Sequence, residues 1–158
     1  PPLPGVEVRI CAGRIQLRGD TLFSGYEPAS NAFEVDGWFD TGDFGRWDAR
    51  GRLIVQGRGA ELIVSGGENV FPAEVEAALR DMPGVRDVAV VGLDDPEWGE
   101  VVAAAVVAGE GVDASALERW SSARLAPFKR PRRWRLVSEL PALPSGKPDR
   151  RAVRGCFG

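Results

Sequence analysis

The spacing of hydrophobic residues changes character near residue 57. Before that point apolar and polar residues alternate in short runs, as at 14–18 (Arg-Ile-Gln-Leu-Arg), and this period of two is typical of half-buried β-strands. Beyond it, β-branched runs at 85–93 and 101–108 follow a set of apolar residues at helical spacing, namely Val75, Ala78, Leu79 and Met82. The pattern predicts a series of short strands followed by an α+β arrangement.

Turn and cap residues set the expected bounds of these elements. In the first part we expect strands at 6–10, 14–18, 37–47 and 52–57. The second part should open with a β-hairpin whose first strand is 62–64, and further strands are expected at 85–93, 101–108 and 133–137. Helices are expected from Pro72 to the Pro83-Gly84 pair, over about 113–125 with a capping box of Ser115 and Glu118, and after Asp149.

Composition indicates a globular protein and removes several classes of chemistry. Of 158 residues, 44% are hydrophobic and 27% are charged, and no apolar run approaches the roughly 20 residues that cross a bilayer. The first residues do not resemble a signal peptide, so we expect a cytoplasmic protein. Histidine is absent and Cys11 and Cys156 lie at opposite ends of the chain, so neither a metal cluster nor a histidine-activated nucleophile is expected. The net charge of -3 offers no general attraction for nucleic acid.

The segment 57–76 joins the two patterns and carries unusual turn chemistry. Gly66 and Gly67 stand between a short β-branched run and the helix that starts at Pro72, and glycine reaches positive φ without steric cost. Glu74 and Glu76 lie near the start of that helix, where the helix dipole favours negative charge. Taken alone, the segment favours an ordinary strand-turn-helix junction.

Four further stretches carry residue types suited to binding or catalysis. The carboxylate of Thr41-Gly42-Asp43, expected on a turn, can accept hydrogen bonds from two vicinal hydroxyls such as those of a ribose. Arg58 places a guanidinium group at the boundary of the two patterns. Lys147, on the loop 144–148, can stabilise negative charge on a phosphate or carboxylate. The interleaved Arg and Trp of 129–135 could contact nucleic acid or the phosphates of a coenzyme, although their alternation is that of a half-buried strand. Each of the first three stretches also has an ordinary alternative: a plain turn for 41–43, a surface arginine for Arg58 and a solvated loop tip for Lys147.

Taken in order, these motifs resemble the adenylate-forming superfamily, and within it the acyl-CoA synthetases. The matching stretches are Gly-Trp-Phe-Asp-Thr-Gly-Asp at 37–43, Gly-Arg at 57–58, 65–76 throughout, Trp-Gly-Glu at 98–100, and Leu-Pro at 140–141 with Ser-Gly-Lys at 145–147. The resemblance implies an acid:CoA ligase that forms an acyl-adenylate from a carboxylate and ATP, then passes the acyl group to the thiol of CoA. It also implies a large N-terminal domain and a small C-terminal α+β domain that rotates between the two half-reactions.

The resemblance implies a role for each matching site residue. Asp43 would bind the ribose hydroxyls of ATP or AMP, with Arg58 in support. Lys147 would be the lysine that closes over the adenylation site and stabilises the developing charge. Gly66 and Gly67 would lie beside the tunnel for the pantetheine arm of CoA. Mg²⁺ would be bound mainly by the part of the family's N-terminal domain that precedes these motifs.

The resemblance also implies how the chain is divided. Residues 1–58 would be the β-rich end of the large domain, and 59–158 the mobile C-terminal domain. The expected fold is a small α+β domain with a three-stranded sheet, flanking helices and a β-hairpin, preceded by an all-β remnant of the larger domain. The hinge position falls on Ala60, where the family usually has aspartate or lysine. The phosphate loop and acyl pocket lie upstream in the family, so the isolated chain is expected to be inactive.

The acyl substrate is left open by the motifs. Fatty acids, aryl acids and o-succinylbenzoate are the candidates, and the segment 126–131 favours an o-succinylbenzoate:CoA ligase of menaquinone synthesis. One alternative is an amino-acid adenylation domain that serves a carrier protein, against which the loop 65–69 argues. The other is a non-catalytic binding or docking module. The expected partners are a small carboxylate, ATP, CoA and the remainder of the N-terminal domain, with no nucleic acid and no membrane span.

Overall fold

The computed structural model describes residues 4–20, 22 and 36–158, which form two compact units, Pro1–Ala60 and Glu61–Gly158. Each unit has its own sheet, antiparallel in the first unit and mixed in the second. No helix among the described residues is long and apolar enough to cross a membrane.

The first unit is a four-stranded antiparallel sheet in the order β1-β2-β3-β4. Its strands are β1 (Val6–Cys11), β2 (Arg14–Gly19), β3 (Phe39–Trp47) and β4 (Leu53–Arg58). All four strands predicted from the alternating pattern are present, with ends that differ by at most two residues from those expected. The indole of Trp38, just before β3, is 7% exposed because the guanidinium groups of Arg9 and Arg18 cover its ring at 4.3 and 4.7 Å.

The second unit combines five strands with three α-helices. In chain order these are β5 (Ile63–Ser65), β6 (Glu68–Val70), α1 (Pro72–Arg80), β7 (Val85–Asp95), β8 (Gly99–Ala108), α2 (Ala114–Arg124), β9 (Arg133–Leu136) and α3 (Arg150–Gly155). Short 3₁₀ turns lie at Gly59–Glu61 and Pro127–Lys129. The α+β fold class is confirmed.

The sheet of the second unit is larger than the three strands that the pattern predicted. Its order is β6-β5-β8-β7, and β9 pairs parallel to β8. Since β7 occupies one edge of β8, β5 and β9 share the other: β5 pairs through Ser65 and Gly99, and β9 pairs along 103–106. The predicted hairpin therefore joins the predicted sheet and extends it to five strands.

The continuous apolar runs in β7 and β8 are explained by burial of both faces of the sheet. Alternate residues belong to two different cores. One core lies with α1 and α2 and contains Val88, Val90, Val102, Ala104 and Val106. The opposite core contains Ala89, Val91, Ala103, Ala105 and, from α3, Val153.

The helix caps confirm one expectation and correct another. The carboxylate of Asp149 accepts hydrogen bonds from the backbone N–H groups of Arg151 and Ala152, so it caps α3 as predicted. The predicted capping box of Ser115 and Glu118 is wrong. Asp113 is the N-cap of α2 and accepts the N–H of Ala116 at 2.7 Å, so the helix already begins before Ser115.

Charged side chains cover the outer edge of β7. Glu76 of α1 is 5% exposed and its Oε1 accepts the N–H of Val90 at 3.0 Å. Arg150 donates to the Val90 carbonyl at 2.6 Å and to Glu76 Oε1 at 2.7 Å, and its Nε lies 3.3 Å from Glu61 Oε2. Arg80 completes the cluster, 3.4 Å from Glu76 Oε2. Burial alone would lower the pKa of Arg150, because it disfavours the positive charge. The hydrogen bonds to Glu76 and Glu61 and the negative charges of these two carboxylates outweigh that effect, so the pKa of Arg150 lies above its ordinary value.

Candidate functional site

Asp43 and Arg58 are brought together across two strands. They are directly paired in the register of β3 and β4, and Arg58 Nε lies 3.2 Å from Asp43 Oδ1. The Arg58 side chain is 72% exposed and the Asp43 side chain 29%, so the carboxylate remains accessible beside its cation. A carboxylate held in this way can accept hydrogen bonds from a vicinal diol while the guanidinium limits the local negative charge.

The Asp43 motif lies inside β3 and not on the turn that was expected. Gly42 has φ +77° and the register of β3 against β4 shifts between Phe44 and Gly45, so the strand is irregular where the carboxylate projects. Neighbouring side chains stabilise this backbone: the Gly42 N–H donates to Asp40 Oδ1 at 2.8 Å, and the Asp43 N–H donates to Thr41 Oγ1 at 3.1 Å. The motif is therefore a bulged strand segment whose own polar side chains replace ladder hydrogen bonds.

Asp40 and Arg14 support this strand, and the sequence reasoning missed both. Arg14 Nε donates to Asp40 Oδ2 at 2.6 Å. Partial burial alone would raise the pKa of Asp40, but the Arg14 guanidinium and the Gly42 N–H hold the pKa of that carboxyl below its ordinary value. The signal available in the sequence was an aspartate two residues before a glycine, the spacing of an Asx turn.

Gly66 and Gly67 form the two-residue turn of the β5–β6 hairpin. Their φ angles are +60° and +83°, and Ser65 and Glu68 pair on either side, which is the geometry that favours glycine in tight hairpins. A Cβ at Gly66 would lie 2.7 Å from a ring carbon of Trp98, whereas a Cβ at Gly67 would meet no atom within 4 Å. Gly66 is therefore required by close packing, and Gly67 faces open space.

The basic stretch 129–135 is mostly engaged within the second unit. Lys129 Nζ lies 2.6 Å from Glu74 Oε1, and Arg130 donates to carbonyls at the end of α2, including that of Leu125 at 2.9 Å. The guanidinium of Arg132 stacks over the Trp98 ring at 3.8 Å. This last contact was not predicted, because nothing in the local spacing connects residues so far apart in sequence.

Lys147 lies on an exposed, hairpin-like loop. The Leu143 N–H donates to the Lys147 carbonyl and the Gly146 N–H to the Leu143 carbonyl, both at 2.8 Å, and Ala142 bridges to Pro148. No ion pair to the Lys147 ammonium is found within residues 4–20, 22 and 36–158. The ammonium group is thus accessible, whereas the other lysine, Lys129, is held in an ion pair.

Ala60 lies at the centre of the 3₁₀ turn Gly59–Glu61, and the division between the two compact units falls directly after it. Its side chain is exposed. Over the described part of the chain, no group of three or more His, Cys, Asp or Glu side chains is arranged to hold a metal ion.

Comparison with known proteins identifies the family. Residues 74–147 match the AMP-binding enzyme C-terminal domain. The segment 74–147 belongs to this family. The resemblance to adenylate-forming enzymes is thereby confirmed.

The relatives include acid:CoA ligases of several kinds. The chain is 41% identical over 152 residues to the 2-succinylbenzoate--CoA ligase of Listeria monocytogenes serotype 4b (strain F2365), covering 94% of this chain and 32% of that protein. It is 44% identical over 147 residues to the indoleacetate--CoA ligase of Aromatoleum aromaticum, covering 90% of this chain and 29% of that protein. The chain thus spans about a third of the length of the relatives it matches.

Two solved structures resemble both units of the chain. The o-succinylbenzoate CoA synthetase MenE of Bacillus subtilis, in complex with the acyl-adenylate intermediate OSB-AMP, superimposes with a TM-score of 0.87 at 35% identity and covers 97% of this chain and 34% of that one. ATP-bound MatB of Rhodopseudomonas palustris gives a TM-score of 0.86 at 35% identity, and the match covers 98% of this chain and 34% of that one.

Proposed function

We propose that this chain is the C-terminal part of an ATP-dependent carboxylate:CoA ligase. The complete enzyme would join a carboxylate to AMP with release of pyrophosphate, and then transfer the acyl group from AMP to the thiol of CoA. The observation that carries the proposal is the exposed side chain of Lys147, which forms no ion pair with the residues that the structure describes. It lies in a chain that is similar over 94% of its length to a CoA ligase. The isolated chain is proposed to be inactive, because phosphate-loop and acyl-pocket residues would come from the preceding part of the enzyme.

The domain assignment follows the same proposal. Residues 1–58 would complete the large N-terminal domain and 59–158 would form the mobile domain, with Ala60 as the hinge. The division of the chain into compact units after Ala60 supports this boundary. Alanine at this position would let the hinge turn without a charged side chain to anchor it.

Asp43 and Arg58 are proposed to bind the ribose of ATP and of the acyl-adenylate. The carboxylate would accept hydrogen bonds from the two ribose hydroxyls, and the paired guanidinium would hold it in place. Their 3.2 Å contact and the exposure of both side chains support this role. Asp40 and Arg14 would then be positioning residues for β3.

Lys147 is proposed to act in the first half-reaction. As the substrate carboxylate attacks the α-phosphorus and pyrophosphate leaves, negative charge develops on the oxygens around phosphorus. A positioned ammonium group stabilises that charge more strongly than it stabilises the bound substrates. Mg²⁺ would contribute at the phosphates mainly through residues of the preceding part.

Gly66 and Gly67 are proposed to act in the second half-reaction. The pantetheine arm of CoA would pass beside their turn on its way to the acyl-adenylate. The open space at Gly67 supports this assignment, since a side chain there would occupy the path of the arm. ATP, CoA and a small carboxylate are the proposed partners of the enzyme, and its proposed compartment is the cytoplasm.

The acyl substrate is proposed as an organic carboxylate, with o-succinylbenzoate as the first candidate. A 2-succinylbenzoate--CoA ligase is 41% identical to the chain, yet a sulfoacetate--CoA ligase is 42% identical, so identity in this part does not separate these acids. Amide formation is the second candidate for acyl transfer, because the amide bond synthetase McbA of Marinactinospora thermotolerans resembles the chain with a TM-score of 0.85 at 36% identity.

The test uses the complete enzyme with Lys147→Ala. Pyrophosphate exchange should fall by about 100-fold or more, as expected for loss of a transition-state donor worth roughly 3 kcal/mol. Transfer from preformed acyl-adenylate to CoA should survive. Lys129→Ala is the matched control, since this lysine is paired with Glu74 and should leave both half-reactions intact. Unchanged pyrophosphate exchange in Lys147→Ala would refute the assignment, and transfer to amines but not to CoA would favour the second candidate.

A further inference from the structure

The hairpin that carries Gly66 and Gly67 is attached to the rest of its sheet by very few backbone contacts. β5 and β6 are three residues each. β5 pairs with β8 only through Ser65 and Gly99, and the Gly66 N–H donates to the Trp98 carbonyl at 2.9 Å. A short two-stranded hairpin is marginally stable by itself, so its position depends on how it is joined to β8.

A side chain supplies a further link. Ser65 and Glu68 flank the two-residue turn and form its closing pair, so the N–H of the preceding residue, Val64, points away from β6 and toward β8. There it donates to Glu100 Oε2 at 2.9 Å. The carboxylate of Glu100 therefore takes the place that a backbone carbonyl would have in a longer β5–β8 ladder.

The surroundings of Glu100 accommodate its carboxylate in this position. The side chain is 22% exposed, and Arg154 Nη2 of α3 lies 3.4 Å from its Oε1. On the other side is Gly92 of β7, where any Cβ would collide with Glu100 Oε1. The absence of a side chain at Gly92 thus makes the room that the carboxylate occupies.

We propose that Glu100 is a positioning residue for the CoA-dependent half-reaction, acting by holding β5 and the Gly66-Gly67 turn against β8. The inference rests on the proposed function of the turn. It also gives the Trp98-Gly99-Glu100 motif a physical role. The carbonyl of Trp98 binds the first N–H of the turn, Gly99 adopts φ +74° at the bridge, and Glu100 binds the N–H of Val64.

The test compares Glu100→Ala, Glu100→Gln and Arg154→Ala in the complete enzyme. Glu100→Ala should reduce the hydrogen-exchange protection of the Val64 amide by about tenfold or more, as for loss of a hydrogen bond to a charged group. The KM for CoA should rise by about tenfold, with pyrophosphate exchange unchanged. Glu100→Gln keeps an acceptor for Val64 and Arg154→Ala keeps the carboxylate, so both should remain within about threefold of the parent on these readouts.

The outcomes separate this inference from the proposed function. Unchanged Val64 protection and an unchanged KM for CoA in Glu100→Ala would overturn the inference. Equal loss of both half-reactions in Glu100→Ala and Glu100→Gln would also overturn it, because the effect would then be general misfolding. If the parent enzyme forms acyl-adenylate but no CoA thioester, the proposed function fails, while the exchange at Val64 still tests the contact with Glu100.

Discussion

Replacing Arg150 with methionine is expected to destabilise the second unit strongly. The change leaves the carboxylate of Glu76, which is 5% exposed, without its 2.7 Å partner, and it leaves the Val90 carbonyl without its donor. Removing one member of a buried ion pair costs about 3–5 kcal/mol. Arg80 remains near Glu76, but at 3.4 Å and with a side chain 46% exposed, so it offsets part of the loss. We therefore expect a decrease of about 3 kcal/mol in the free energy of unfolding, a large share of the 5–15 kcal/mol typical of a domain.

Urea unfolding followed by far-ultraviolet circular dichroism measures this change. All α-helices of the described residues lie between Pro72 and Gly155, so the helical signal reports on the second unit. Arg151→Met, at an exposed neighbouring position, should stay within about 0.5 kcal/mol of the parent. Adding Glu76→Gln to Arg150→Met should recover part of the lost stability, because the buried charge is then removed. A loss below about 1 kcal/mol for Arg150→Met, or strict additivity in the double variant, would refute the reasoning.

Two further predictions concern the turn and the first sheet. In the complete enzyme, Gly67→Leu should spare adenylation and abolish thioester formation. Gly67→Asn should retain more of the thioester-forming activity, because asparagine tolerates the φ of +83° better than leucine does. Equal loss of both half-reactions in rapid-quench assays would contradict this prediction. The second prediction uses Asp40, whose pKa in the folded state lies below its ordinary value of 3.8. Its charged form therefore stabilises the first sheet above about pH 4, and that contribution is lost as the pH falls through the lowered pKa. The stability difference between the parent and Asp40→Asn, measured by denaturant unfolding with amide signals of β3, should thus shrink on acidification, and a difference independent of pH between 2 and 7 would contradict it.

The sequence predicts local elements well because their signals are local. Alternation in β2, the apolar runs of β7 and β8, and Pro72 at the start of α1 each depend on residues that are near one another in the chain. The motifs give Asp43, Arg58 and Lys147 as candidates, and the register of β3 and β4 brings the first two into contact.

What the sequence does not predict depends on partners far apart in the chain. The link between Val64 and Glu100, and the stacking of Arg132 over Trp98, join residues more than 30 positions apart. Near the start of α2, Asp113 and Ser115 are both residue types that favour an N-cap, and their order in the sequence does not decide between them. Asp113 is the cap because its φ and ψ place it in extended backbone just before the helix.

The charged cluster of Glu76, Arg80 and Arg150 along β7 also affects whether a strand of another molecule can pair with this edge of the sheet. An uncovered edge strand presents free N–H and C=O groups on which a strand of a second molecule can pair, which is a common start of aggregation. At Val90 both groups are already bound, by Glu76 and Arg150. An incoming strand would have to displace Arg150 and leave the Glu76 carboxylate buried beside a weaker partner. The cluster that stabilises the fold therefore also opposes edge-to-edge association at this part of the sheet.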